Sequence, residues 1–465
     1  YSQNNKQMKI KVVGRKYLDL WQKLTNGSIN RQIFAATIIV AFLTGLVKFA
    51  SIGKELVVAW RFGTGNEIDA FIMAMVIPTF VINVVSGSFK SALIPVFIKI
   101  RERQGKQAAQ QLFSGVVLWA ISLLVLTMIV MVIATPIYLP VLASGFTAEK
   151  LRLTTRLLWS LSPLVLLYGI VNIWSGILNA GERFALAAFS PAITPLTTVA
   201  LLITLPGWGI FALAGGLICG SIFEIIILGI GLNRQKISIL PQWSKYNANL
   251  SQVSSQYIPV ATGSFLMSSA NLVDQSMAAM LDSGSVAALG YANRVIALPL
   301  TLTTLALGTA VVPYLSKTIA QQNWSKINHT FNYYLRLIFI TTIPLTIVLV
   351  VTSKLIVQVL FERGSFDVED TQIVSQIQTL YAFQIPFYIA NIFVVRLINS
   401  LGVNYFLTWG AGINLLVNIS ANYTFVQWFG VKGIALSTSC VYLISFIFLY
   451  TLTHKHLLKI SSENT

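Results

Sequence analysis

The stretch Ala92-Leu-Ile-Pro95-Val-Phe-Ile-Lys99 is echoed 218 residues later by Ala310-Val-Val-Pro313-Tyr-Leu-Ser-Lys317. Each stretch ends a long apolar segment that has an earlier proline, and each leads into a polar turn. A second pair, beginning at Ser162-Pro163 and at Ile385-Pro386, recurs at nearly the same offset. The spacing predicts that one unit has been duplicated, with chance similarity of apolar segments as the alternative. Two halves that insert in the same orientation would be related by a pseudo-twofold axis along the membrane normal.

Composition places the chain in a membrane. Hydrophobic residues make up 55% of it and charged residues 10%, whereas an ordinary soluble domain is about 25% charged. The net charge of +17 does not indicate nucleic acid, because most Lys and Arg residues lie in short connections between apolar segments, as membrane topology requires. Cys219 and Cys440 lie inside apolar runs without metal-ligand spacing, so we predict no disulfide framework, no metal and no other bound cofactor.

Hydropathy predicts an all-α polytopic membrane protein, since about 20 residues cross a bilayer. The predicted spans are 33–60, 68–98, 110–142, 151–178, 186–205, 209–232, 251–281, 285–316, 328–352, 371–400, 406–427 and 432–453. Six prolines are candidate bends: Pro78, Pro95, Pro163, Pro299, Pro313 and Pro386. We predict a basic amphipathic segment at 1–32, six-helix bundles at 33–233 and 251–453 around a central cavity, a linker at 234–250 and a tail at 454–465.

Basic residues are shared unequally between the two sets of connections. The connections on the side of the termini carry most of them, for example Lys99, Arg101 and Lys245. The opposite connections carry few, among them Arg61 and Lys150. The positive-inside rule therefore predicts that both termini are cytoplasmic, which agrees with an even number of spans.

Four basic residues lie within the apolar spans: Lys54, Lys90, Arg294 and Arg396. A charge near the bilayer centre costs roughly 2.5–3.5 kcal/mol on insertion scales, so these residues should face water, a counter-ion or an anionic cargo. The alternatives are a local pair of Lys54 with Glu55 or Asp69 and, for Lys48 and Arg336, extension of the side chain to the membrane surface. Arg294 differs from the others because no acid lies near it in the sequence, and its planar fork can hold two phosphate oxygens at once.

Polar residues in the second predicted bundle indicate a site for a coupling cation, Na⁺ or H⁺. Asp274 lies in the seventh span, and Asn414 and Asn418 lie one turn apart in the eleventh. Together they can offer oxygens to sodium, with ordinary hydrogen bonding between helices as the alternative. Glu224 in the sixth span is another protonatable candidate.

Short motifs run collinearly across most of the chain. They are Gly53-Lys-Glu55, Phe62-Gly-Thr-Gly65, Asp69-Ala-Phe71, Ile77-Pro78, Ile94-Pro-Val-Phe97, Tyr291-Ala-Asn-Arg294, Leu307-Gly-Thr-Ala310, Pro313-Tyr-Leu-Ser316 and Phe361-Glu-Arg-Gly-Ser-Phe366. In this order they resemble the MurJ/MviN lipid II flippases, a family of the superfamily that includes multidrug and polysaccharide exporters. The resemblance implies alternating access by two bundles around a cationic cavity, which moves an undecaprenyl-pyrophosphate-linked saccharide across the bacterial cytoplasmic membrane.

The resemblance also suggests site residues and partners. Lys54 matches the family's basic residue at the end of the first span, and Arg294 matches its arginine in the eighth. The predicted substrate-binding residues are Lys54, Glu55, Asp69, Lys90, Arg294 and Arg396. The implied partners are a polyprenyl-pyrophosphate glycolipid and membrane lipids, for a protein that acts as a monomer, with cell-wall or polysaccharide synthesis machinery as a further candidate.

Two features depart from the family pattern. Ile82-Asn83 stands where flippases of the peptidoglycan precursor carry an arginine pair, and Lys90 offers only a point charge nearby. About twelve spans are predicted here, whereas the family usually has about fourteen. Both departures bear on which cargo is carried.

Three function classes remain open. The first is a flippase for lipid II or a related envelope glycolipid, with an exopolysaccharide repeat unit as the alternative cargo. The second is a cation-coupled multidrug exporter of the same fold, and the third is a membrane scaffold for envelope synthesis. The sequence has no Walker-type loop and no nucleophile constellation, so we predict that the protein is not an enzyme.

Overall fold

The computed structural model describes residues 29–181, 184–238, 250–320, 324–403 and 405–463, and helices dominate these ranges. The first half contains α1 Ile29–Phe62, α2 Asn66–Val81, α3 Ser88–Leu142, α4 Ala148–Leu161, α5 Pro163–Ala180, α6 Phe184–Phe189, α7 Ile193–Thr204 and α8 Ile210–Arg234. The second half contains α9 Leu250–Ala279, α10 Ser285–Ala320, α11 Trp324–Val351, α12 Ser353–Phe361, α13 Val368–Ala382, α14 Gln384–Leu401, α15 Tyr405–Phe429 and α16 Val431–Glu463.

Each predicted span is confirmed as helix, and the differences lie where the backbone bends. The fourth predicted span breaks at Ser162, before Pro163, and the tenth breaks at Phe383, three residues before Pro386. Proline lacks an N–H and crowds the preceding turn, which explains both breaks. The second span contains a π-helical turn, Ile82–Gly87, and α12 was not predicted as a separate helix.

The predicted terminal segments and the predicted linker can be compared with the structure only in part. Most of the predicted segment 1–32 and most of the linker 234–250 lie outside the described residues. The last helix continues to Glu463, ten residues beyond the predicted span, so most of the predicted tail 454–465 is helical.

The number of apolar helical stretches differs from the number of times the chain changes direction. Within the described residues, eight helical stretches are long and apolar enough to cross a membrane, judged by length and composition alone. The stretch Asn66–Leu142 counts once, although it folds back at Gly105, where φ is +87°. The rings of Phe89 and Trp119, on either side of this bend, lie 5.6 Å apart. The single stretch therefore provides two antiparallel rods.

Two contacts between the halves have the sequence separation of the predicted repeat. Ser283 Oγ donates to Asn66 Oδ1 at 2.6 Å, and the Ala287 N–H donates to Asp69 Oδ1 at 2.7 Å. These partners are 217 and 218 residues apart, the offset of the sequence repeat. Equivalent positions of two repeats touch each other only near the axis that relates them. The starts of α2 and α10 therefore meet at the pseudo-twofold axis.

The helix α9 departs from this symmetry. Its Tyr257 and Phe265 rings pack on Phe89 and Phe80 at 4.3 and 5.4 Å between ring centroids, so much of α9 lies against α2 and α3 of the first half. Its counterpart α1 instead packs on α6 and α7 of its own half. Although α9 belongs to the second half in the sequence, it thus packs largely on helices of the first half.

Candidate functional site

The turns at one end of the helices lock the two halves together. The Ser365 N–H donates to the Trp60 carbonyl at 2.8 Å, and the Ser365 hydroxyl donates to the Arg61 carbonyl at 3.0 Å. Thr64 donates a short hydrogen bond to Asp370. These contacts join the α1–α2 turn to the α12–α13 turn, and we call this end of the molecule the sealed end.

Two glycines make the close approach at the sealed end possible. A Cβ on Gly364, where φ is +63°, would lie 2.2 Å from the Trp60 carbonyl oxygen, and a Cβ on Gly145 would lie 2.5 Å from the Ala279 oxygen. The two contacts are related by the repeat, since 145 and 364 are as far apart as 60 and 279. The seal is therefore built twice, once from each half.

Asp69 holds the centre of the sealed end. Its carboxylate is 1% exposed and accepts hydrogen bonds at 2.7 Å from the backbone N–H groups of Gly284 and Ala287, at the start of α10. Lys150, which is 6% exposed, completes the site at 2.6 Å. An acid at a helix N-terminus satisfies free N–H groups and the helix dipole. These contacts favour a structural role for Asp69, whereas its predicted role in substrate binding remains a prediction.

Beneath the sealed end, two cations share one acid. Glu55 lies 2.7 Å from Lys54 Nζ through Oε1 and 2.5 Å from Arg294 Nη1 through Oε2. The side chains of Lys54, Glu55 and Arg294 remain 21%, 15% and 33% exposed. The group, which we call the cationic cluster, has a formal charge of +1. Arg294 thus has an acidic partner that its sequence neighbours do not reveal, because the fold brings the side chains of α1 and α10 together at this point.

The cationic cluster borders a cavity of about 470 Å³ between the halves. Lys48, Glu55 and Arg294 are its charged residues. Its apolar wall comes from α1, α10, α11 and α12 and includes Ile52, Leu298, Leu302, Leu349, Ile356 and Leu360. We call it the interface cavity. It offers a cationic rim beside a largely hydrophobic volume.

Lys90 and Arg396 do not reach the interface cavity. At a rise of 1.5 Å per residue, Glu55 lies about 10 Å from the Phe62 end of α1, whereas Lys90 lies about 36 Å beyond the start of α2. Lys90 is partly buried, with Nζ 3.5 Å from Ser175 Oγ, and Arg396 is exposed on α14. No carboxylate lies within 4.0 Å of either cation among the described residues. The predicted cationic residues therefore occupy different depths.

A second cavity lies inside the second half. It measures about 270 Å³ and is lined by amide and phenol side chains around Asp274, so we call it the amide cavity. Asp274 Oδ1 accepts hydrogen bonds from Asn418 at 2.9 Å and from Asn422 at 2.6 Å. Asn414 donates to Ser445 at 3.0 Å. The structure therefore brings the predicted residues Asp274, Asn414 and Asn418 to one cavity.

Sequence reasoning missed three residues of these sites. Lys48, for which extension to the membrane surface was one alternative, lines the interface cavity. Lys150 was counted as a loop charge, yet it is buried against Asp69. Asn422 lies one turn beyond Asn418 and could have been found from helical spacing. Nothing in the sequence near Lys150 indicates its partner, because the pair joins residues 81 positions apart.

Two duplicated helical halves, sealed at one end and enclosing a cationic cavity, define a two-lobed membrane transporter. Solved structures agree on this fold. A "Lipid II flippase MurJ, inward closed conformation" aligns with a TM-score of 0.76 at 24% identity, covering 91% of this chain and 90% of that one. An inward-facing MATE multidrug transporter aligns with a TM-score of 0.75 at 13% identity, covering 92% and 100%.

Sequence comparison gives the family. The family model described as "Lipid II flippase MurJ" matches residues 58–464, and the chain belongs to this family. A "Probable lipid II flippase MurJ" of Synechocystis sp. is 28% identical over 455 residues, covering 92% of this chain and 83% of that protein. The "Lipid II flippase MurJ" of Burkholderia cenocepacia is 24% identical over 429 residues, covering 87% and 80%.

Proposed function

We propose that this protein flips lipid II, or a closely related polyprenyl-pyrophosphate glycolipid, across the bacterial cytoplasmic membrane by alternating access. Membership of the flippase family supports the reaction class. The observation that carries the proposed mechanism is the cationic cluster at the border between the halves, with two cations on one carboxylate. Translocation of an intact lipid forms and breaks no covalent bond, so in this proposal the protein is not an enzyme.

The cationic cluster suits a diphosphate. Arg294 has five N–H donors and spends one nitrogen on Glu55, so its fork can still bind phosphate oxygens. Lys54 adds a point charge beside it. A diphosphate would replace Glu55 as the partner of Lys54 and Arg294. The net positive charge of the cationic cluster would favour that exchange.

The rest of the interface cavity suits the lipid part of the cargo. Leucine and isoleucine side chains line it from Leu298 on α10 to Leu360 on α12. The first isoprene units of a polyprenyl chain can bury apolar area there, at about 25 cal/mol per Å². A cationic rim beside a hydrophobic wall thus matches a molecule whose diphosphate is joined directly to its lipid.

Orientation follows from charge. The basic connections lie on the side opposite the sealed end, so in our proposal the sealed end faces outward and both termini are cytoplasmic. This arrangement presents the cargo site to the cytoplasm, and release requires the sealed end to open. We further propose that the protein works as a monomer among membrane lipids and receives its cargo from envelope synthesis machinery.

The amide cavity is the proposed site of the coupling cation. Asn414 Oδ1 and Gln275 Oε1 are buried without a hydrogen-bond partner among the described residues, and both residues line the cavity with Asp274. Oxygen ligands of this kind suit Na⁺, and a proton on Asp274 is the alternative. The chain's own residues would hold the ion between α9 and α15, so its binding would fix α9 relative to the second half.

Flipping assays in proteoliposomes test the coupling. Asp274→Asn is expected to abolish the sodium dependence of the rate or, where H⁺ is the coupling ion, to reduce its pH dependence, while Asp282→Asn, at an exposed acid in the α9–α10 turn, leaves both unchanged. An unaltered ion dependence in Asp274→Asn would refute the site.

Complementation tests the function. This chain is expected to restore growth to cells depleted of their own lipid II flippase. Arg294→Ala should lose that rescue at unchanged expression, whereas the control Arg336→Ala, at an exposed arginine of α11, should keep it. Full rescue by Arg294→Ala would defeat the proposed role of the cationic cluster. Rescue of only an exopolysaccharide flippase mutant by the parent chain would assign the alternative cargo.

A further inference from the structure

An acid that the proposed mechanism does not use lies inside the first half. Glu224 on α8 is 2% exposed. Its Oε1 accepts a hydrogen bond from Ser190 Oγ at 3.0 Å, and its Oε2 accepts one from Thr194 Oγ1 at 3.3 Å. Both partners are neutral hydroxyl groups. A carboxylate that has left water without meeting a cation is costly to keep ionised.

The helices packed against α8 bring no positive charge to Glu224. Tyr168 of α5 is the titratable side chain near it, in contact with Thr194 and Ser221. The charged residues of α2, α4 and α8 are engaged elsewhere among the described residues: Asp69 and Lys150 pair with each other, and Glu67, Glu149, Arg152, Arg156 and Arg234 are exposed. The packed helices α5, α6 and α7 carry no charged residue. The environment therefore favours the neutral acid.

A break in the neighbouring helical rod aims the hydroxyl groups at Glu224. Between α6 and α7 the chain forms a 3₁₀ turn, Ser190–Ala192, with Pro191 inside it. Ser190 lies in this turn and Thr194 in the first turn of α7. The proline explains the break in the rod, so the two hydroxyl partners of Glu224 come from the turn and from the helix that follows it.

In the sequence repeat, Glu224 of the first half corresponds to a residue of the amide cavity in the second half. The residue 218 positions later is Tyr442, which lines the amide cavity with Asp274. The same offset carries Tyr168 to Pro386, two residues before Tyr388, and the rings of Tyr388 and Tyr442 lie 4.9 Å apart. Each half thus keeps one acid in the same interior region, supplied by α8 in the first half and by α9 in the second.

From this geometry we propose that Glu224 is a proton-binding site of the first half, protonated in the sealed conformation and deprotonated when the lobe rearranges and water reaches it. The inference goes beyond the proposed function, which uses only the amide cavity for coupling. The proton leaves to water and returns from water, so no further reactant is needed. With the acid protonated, one of the two hydroxyl groups would rotate and accept a hydrogen bond from the acid, while the other continues to donate.

Infrared difference spectroscopy tests the proton directly on the intact purified protein in lipid. At neutral pH we expect a carbonyl stretch of a protonated carboxylic acid that is lost in Glu224→Gln. The band should persist in Glu149→Gln, at an exposed glutamate of the same half, and in Asp274→Asn. Because this readout needs no cargo, its outcome is independent of whether the protein flips lipid II. Absence of a band that depends on Glu224 would overturn the proposal.

A transport measurement tests the release step. Glu224→Gln keeps a neutral group of the same size, so the protein should fold, but the pH dependence of its flipping rate should be weakened. Ser190→Ala, which removes one hydroxyl partner, should shift that dependence without abolishing it. If Glu224→Gln keeps the parent pH profile, the residue has only a packing role.

Discussion

The sealed end and the cationic cluster both place charged side chains where the halves meet, yet they differ in balance. At the sealed end one lysine meets one aspartate, both almost fully buried, and two backbone N–H groups satisfy the remaining oxygen positions. In the cationic cluster two cations meet one acid and remain partly exposed. A balanced, dry pair holds two elements together, whereas an unbalanced, wet group retains the capacity to bind an anion.

Removing Lys150 should have the largest effect on stability. Lys150→Met leaves the buried charge of Asp69 without its cation, and breaking a buried pair in this way costs about 3–5 kcal/mol. We expect a lower melting temperature in detergent and little change in diphosphate affinity per folded molecule. The control Arg152→Met, at an exposed site two residues away, should melt like the parent. Equal melting of both variants would contradict the role of the pair.

The substitution Gly364→Ala should have the second-largest effect on stability. Gly364→Ala places a methyl group against the Trp60 carbonyl and also forces alanine into a left-handed conformation. The matched control is Gly402→Ala, because Gly402 has a φ of +76° but nothing within 4 Å of its Cβ position. The control isolates the backbone cost of about 1–2 kcal/mol. Gly364→Ala should lose about 1–3 kcal/mol more through overpacking, as measured by thermal unfolding.

Arg294→Ala should separate binding from stability. Hydrogen bonds to charged groups contribute about 1.5–3 kcal/mol, so affinity for inorganic pyrophosphate or lipid II should fall about tenfold to hundredfold. The melting temperature should change little, because the site is already partly exposed. Calorimetric titration measures the affinity. A large loss of stability with unchanged affinity would show that the cationic cluster is a structural pair like Asp69–Lys150.

Neutralising Glu55 should have the smallest effect, and in the opposite direction. Glu55→Gln removes the competitor of the diphosphate, so affinity should rise by an amount of about 1 kcal/mol or less, as for a partly exposed ion pair. The gain should shrink at high salt, because screening weakens exposed charges. Weaker pyrophosphate binding in Glu55→Gln would mean that Glu55 orients Arg294 rather than competing for it.

The sequence was sufficient wherever local pattern controls structure. Apolar length set the spans, prolines such as Pro163 and Pro386 marked the breaks, and the 218-residue spacing of the motifs revealed the two halves. Asp274, Asn414 and Asn418 could be grouped because helical periodicity puts Asn414 and Asn418 on one face. The collinear motifs were enough to indicate the family.

Pairing between distant parts of the chain could not be predicted in the same way. Arg294 and Glu55 are far apart in the chain, and Lys150 reaches Asp69 across 81 positions. The basic residues were expected to share one chamber, but hydropathy carries no information on depth along different helices. Lys90 and Arg396 lie away from the cationic cluster, and Lys48, which was not predicted as a site residue, lines the cavity.

The sequence by itself determined that this chain is a helical membrane protein with an internal repeat and with basic residues in its spans, because the bilayer imposes length and polarity on every segment independently. Only the tertiary structure decided which charges are neutralised and which remain available. That division depends on which helices meet and at what depth. Lys54 and Lys150 each stand beside a glutamate in the sequence, yet Lys54 pairs with Glu55 at the interface cavity and Lys150 pairs with the buried Asp69.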